Sequence, residues 1–83
     1  MAVNTETVAT EIHGWLRENV TGGREVSDDY PLIENGVLTS LQTVELVTFL
    51  EDRFGIFVED DEFDEENFGS VEAIASLVAS KSA

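Results

Sequence analysis

The sequence contains no cysteine, and only one histidine, one proline, one tryptophan, one tyrosine and one methionine among its 83 residues. Without cysteine there is no disulfide framework, no thiolate metal site and no cysteine nucleophile. Basic residues are nearly as scarce. Four lysines and arginines face eighteen aspartates and glutamates, for a formal net charge of −14. Such a surface repels nucleic acid and anionic membranes and favours proteins with basic patches. No apolar run approaches the roughly 18 residues of a membrane span. The start, MAVNTETVATE, lacks the basic and then apolar order of a secretory signal. The expectation is one cytoplasmic, monomeric domain over residues 1–83, with a modest core.

Apolar residues make up 42% of the chain, a globular rather than a disordered value. Val8, Ile12, Trp15 and Leu16 recur at helical spacing, which predicts a first helix from Thr5 to Asn19 with Thr5 as its N-cap. Gly22 and Gly23 end it. A long connection follows over residues 21–38, and its Leu32, Ile33, Val37 and Leu38 must tuck against the helices for it to be ordered. A second helix is predicted from Leu41 to Phe54, stopping at Gly55, with Leu46, Val47, Leu50 and Phe54 as its core stripe. IFV at 56–58 reads as an extended connector, and DEENF at 64–68 as one helical turn capped by Asp64. Ser70 caps a last helix that runs to about Ser80, with Val71, Ile74, Leu77 and Val78 facing inward. The fold class expected is all-α: a small four-helix bundle, three main helices and one short one, with a long loop between the first two.

The second helix carries another stripe. Leu41, Val44, Glu45, Thr48 and Asp52 follow one another at spacings of three and four residues and cannot share the face of Leu46, Val47 and Leu50. An apolar pair rimmed by charge has the make-up of a docking surface, and a cover by the long loop is the alternative. The acids are also uneven: Glu59, Asp60, Asp61, Glu62, Asp64, Glu65 and Glu66 lie within eight positions. This run reads either as a solvated face or as a docking surface.

Catalysis and metal binding find little support. A Ser-His-Asp triad would have to use His13, and no G-x-S-x-G elbow is present. An EF-hand loop starting at Asp60 puts Glu65 at the turn glycine and Val71 at the bidentate glutamate. One starting at Asp64 puts Phe68 at a ligand position and Ala75 at the last. Neither register works, so no catalytic residue and no specific metal site is expected. There remains the hydroxyl pair Thr39 and Ser40 at the mouth of the second helix. It reads as an N-cap or, at the positive end of the helix dipole, as a place for an esterified phosphate.

The stretch SLQTVELVTFLEDRFGI, with LIENGVL before it and ENFGSVEAIASLV after it, resembles the acyl carrier and peptidyl carrier protein family over most of the chain. In that family a serine followed by leucine opens helix II. The resemblance implies that Ser40 receives 4′-phosphopantetheine from coenzyme A, through a separate Mg²⁺-dependent phosphopantetheinyl transferase. The arm's thiol then holds acyl or aminoacyl groups as thioesters. It further implies an acyl- or aminoacyl-loading enzyme and downstream synthase enzymes as partners, and the outward stripe of Leu41, Val44, Glu45, Thr48 and Asp52 is the docking face expected for them. Two positions depart from the family pattern: Thr39 stands where Asp is usual, and Gln42 where fatty-acid carriers usually have an acid. The departures point away from fatty-acid synthesis and towards polyketide, nonribosomal peptide or related specialised pathways. The alternatives are an unmodified acidic interaction module of the same fold and a fatty-acid-synthesis carrier.

Overall fold

The structure is a computed structural model that describes residues 4–82. Helix α1 spans Thr5–Asn19, as its periodicity predicts, but its cap lies one residue earlier than expected. The side chain of Asn4, not Thr5, accepts the Thr7 N–H at 2.8 Å. Asparagine outranks threonine at this position, and the extended backbone of Asn4 suits a cap. Val8, Ile12 and Leu16 are buried, and Trp15 lies half-buried against Phe49, with ring centroids 6.3 Å apart. At the far end the Val20 and Thr21 N–H groups both donate to the Leu16 carbonyl, closing α1 before Gly22 and Gly23.

The long connection has no secondary structure of its own, and it is tied down by buried side chains and backbone bonds. Leu32 and Leu38 are buried, while Ile33 and Val37 are half-buried. Val37 and Leu38 donate to the Leu32 carbonyl at 2.8 and 3.1 Å. Leu32 N–H reaches Gly69 O at 2.7 Å, and Glu72 N–H reaches Asp28 O at 2.9 Å. The last two bonds sew the loop to the other end of the chain. Gly69 also serves that junction, because a Cβ there would run into the Glu65 carbonyl.

Helix α2 spans Ser40–Phe54 and ends on Gly55, whose positive φ of 67° is a left-handed cap that glycine adopts without strain. Its core stripe is Leu46, Val47 and Leu50, with Phe54 half-buried and the hydroxyl-bearing Thr43 added to the buried set. Residues 56–58 belong to no helix or strand, and Val58 is buried, its N–H donating to Glu51 Oε2 at 2.9 Å. A 3₁₀ turn at Asp60–Glu62, absent from the sequence reading, precedes the short α3 at Glu65–Phe68, which Asp64 caps. Helix α4 spans Val71–Ser82, with Ser70 Oγ accepting the Ala73 N–H at 3.2 Å. Helix α4 packs chiefly on α1, and also on α3 and α2. Val71, Ile74, Ala75 and Val78 complete one core with the apolar residues of the other elements. The described residues are all-helical, in three long helices and one short one, which is the expected bundle. None of the helices is long and apolar enough to cross a membrane.

Candidate functional site at the start of α2

Ser40 is the first residue of α2 and is exposed. Whether it or Thr39 caps the helix is decided by the hydrogen bonds. Thr39 has extended backbone, and its Oγ1 accepts the Gln42 N–H at 3.2 Å. In return Thr39 N–H donates to Gln42 Oε1 at 3.0 Å, completing a capping box. Thr43 Oγ1 adds a bond to Thr39 O at 2.9 Å. Capping therefore falls to Thr39 and Gln42, and Ser40 Oγ takes no part in it. The T-x-x-Q spacing was the available signal for choosing Thr39 over Ser40 as the cap.

No acid occupies the first turn of α2. The unpaired N–H groups and positive dipole end are thus not offset by a carboxylate, and an anion attached at Ser40 would be stabilised there. The site fits a serine-linked phosphopantetheine: the hydroxyl is exposed, its backbone is fixed by a neighbour's cap, and the helix's own first turn carries no carboxylate.

The outward stripe is open to solvent. Leu41 is 71% exposed and Val44 50%, and Glu45, Thr48 and Asp52 are exposed as well. The long loop does not cover them. Two clefts flank Thr39. One, of about 500 Å³, lies towards α3 and is lined by Leu38, Ser40, Val44, Phe63 and Phe68, with Asp64 and Glu65 as its acids. The other, of about 380 Å³, lies towards the loop and is lined by Thr21, Arg24, Tyr30, Thr39 and Gln42. Periodicity could not find Phe63, which sits outside any helix and stacks on Phe68 at 5.7 Å.

The remaining candidates take structural roles. His13 Nε2 lies 2.6 Å from Asp28 Oδ1, tying α1 to the loop, and no hydroxyl hydrogen-bonds to its ring among the described residues. No group of three or more His, Asp or Glu residues among them could hold a metal ion. Within the acidic run, Glu62 bonds Lys81 Nζ at 2.6 Å and accepts the Glu59 N–H at 2.8 Å. These contacts, the Lys81 bond foremost, hold its carboxyl below the usual glutamate range.

No protein-family model matches the chain. It is similar to a D-alanyl carrier protein of Enterococcus faecalis, with 40% identity over 65 residues that span 76% of this chain and 83% of the relative. Among solved structures, a chain in a crystal structure of an FAD-dependent dehydrogenase superposes with a TM-score of 0.71 at 25% identity. That match covers 78% of this chain and 94% of the other.

Proposed function

We propose, for a chain that belongs to the acyl carrier protein family of phosphopantetheine-binding carriers, that Ser40 is the residue that bears the arm. As a member of that family the protein is a carrier and not an enzyme, and loading enzymes and transferases act on it. The observation that carries the assignment is the exposed Ser40 hydroxyl left out of the Thr39–Gln42 cap. In the transfer, Ser40 Oγ forms the new O–P bond as the phosphoanhydride of coenzyme A breaks. The hydroxyl proton passes to a base on the transferase, and 3′,5′-ADP leaves. Once attached, the arm supplies a thiol that holds its cargo as a thioester.

We assign the partner-facing role to Leu41, Val44, Glu45, Thr48 and Asp52. Leu41 and Val44 give apolar contact beside Ser40, while Glu45 and Asp52 steer basic partners and mainly speed encounter. An aminoacyl cargo is favoured by the likeness to a carrier named for D-alanine. The neutral Thr39 and Gln42 favour a specialised pathway, such as nonribosomal peptide or polyketide assembly, over fatty-acid synthesis. Dependence on coenzyme A supports a cytoplasmic site of action.

The test is intact mass after incubation with coenzyme A, Mg²⁺ and a broad-specificity transferase. Wild type gains one phosphopantetheine and Ser40→Ala gains none. A gain that persists in Ser40→Ala sinks the assignment. Failure of wild type to gain mass with several transferases favours the unmodified interaction module.

A further inference from the structure

Helix α1 carries a glycine that its own fold does not call for. Gly14 lies in the interior of the helix, and glycine is the poorest helix former after proline. Its φ is not positive, so no turn requires it. Packing does not require it either. A Cβ at Gly14 would meet only the Arg17 guanidinium, at 3.9 Å, which is ordinary contact. The space left by the missing side chain belongs to a hollow of about 190 Å³ at the seam between α1 and α2.

The lining of that hollow has a definite chemistry. It includes two aromatic rings, Trp15 from α1 and Phe49 from α2, both half-buried, with centroids 6.3 Å apart and planes tilted by 32°. Two carboxylates, Glu11 and Glu18, line it as well, and no basic residue does. Glu11 is engaged by Arg53, whose Nε donates to its carboxylate at 3.0 Å. Exposed Glu18 forms no ion pair among the described residues. On α2, Phe49 lies within one turn of Glu45 and Asp52, so the hollow continues the outward stripe of that helix.

We infer that this hollow receives an arginine side chain of a protein partner, its guanidinium laid on the Trp15 and Phe49 rings and paired with Glu18. The lining selects that occupant. Aromatic faces attract a cation, and a flat guanidinium stacks on them as a compact ammonium does not. A free carboxylate beside the rings accepts the forked hydrogen bonds of arginine. The formal charge of −14 repels an anionic group, and a second copy of this chain with it. The bare backbone of Gly14 lets the incoming side chain come close to α1. Arg53 on Glu11 shows that a guanidinium already has a place at this seam. Neither the docking role of the α2 stripe nor an arm on Ser40 is needed for it.

The experiment uses the full chain and the peptide acetyl-Ala-Arg-Ala-amide, with its lysine and citrulline counterparts. ¹⁵N–¹H spectra follow the backbone amides and the indole N–H of Trp15, the only tryptophan. The arginine peptide should shift the indole signal and the Gly14, Glu18 and Phe49 amides along one saturable curve. The lysine peptide should bind roughly threefold more weakly, the fold-change of an exposed cation–π contact, and the citrulline peptide should leave these signals in place. Glu18→Gln should weaken arginine binding by about threefold, as loss of an exposed ion pair does, and NaCl should weaken it in wild type. Gly14→Leu should abolish the shifts yet melt at or above the wild-type temperature, because leucine enters the hollow and is the better helix former. Equal responses to arginine and lysine, or arginine shifts confined to the acidic run at 59–66, overturn the inference, since charge alone then draws the peptide. Binding by Gly14→Leu or Glu18→Gln that matches wild type overturns it too, as does an indole signal that the arginine peptide leaves unmoved.

Discussion

Thr39 and Gln42 show how much one pair of side chains decides. In the sequence they stand as two lost charges. In the structure they are a reciprocal cap that frees Ser40 from capping. Replacing Thr39 by alanine should cost about 1 kcal/mol in urea or thermal denaturation, the usual loss for a capping hydroxyl. Thr39→Asp should unfold close to wild type, because a carboxylate accepts the same N–H, and a generic transferase should modify it at least as fast. Slower modification of Thr39→Asp would mean that the threonine is matched to a dedicated partner. The cap spacing was present in the sequence all along. The pairing of His13 with Asp28 was not, because contacts between a helix and an irregular loop follow no period.

At the scale of the element, α2 has two faces with opposite duties. Leu50 is fully buried and Leu41 is mostly exposed. Leu50→Ala should therefore cost roughly 2–5 kcal/mol of stability. Leu41→Ala and Glu45→Lys should leave melting nearly unchanged while slowing modification by the transferase. Equal destabilisation by Leu41→Ala and Leu50→Ala would contradict the orientation of the helix. The three long helices and their inward stripes were legible because a 3.6-residue period survives in the sequence. The 3₁₀ turn at Asp60–Glu62 was not legible. Its anchor, Lys81, lies on another element, and a run of acids looks the same whether solvated or tied down.

The Glu62–Lys81 contact makes a pH prediction. The folded-state pKa of Glu62 is depressed, so its contribution to stability is present above the unfolded-state value and is lost as pH falls through the folded one. The melting difference between wild type and Glu62→Gln should hold steady at neutral pH and shrink as pH drops below the ordinary glutamate range. A difference that stays constant into that acid range would show that the ion pair adds nothing.

For the whole molecule the governing quantity is the formal charge of −14. Like charges repel in the compact state, and salt screens them over a Debye length of about 10 Å at 0.1 M. The melting temperature should rise with NaCl, and an indifferent one would show that the acids are already far enough apart. The same field bears on function. It attracts basic surfaces, and the proposed arm site, Ser40, stands exposed at the start of α2, whose first turn holds no acid. The most direct test of that claim locates the arm on the chain. Trypsin should release residues 25–53 from the holo protein as one peptide, cleaved after Arg24 and Arg53. Fragmentation of that peptide should place the added phosphopantetheine on Ser40. Placement on Thr39, Thr43 or any other residue would contradict the account.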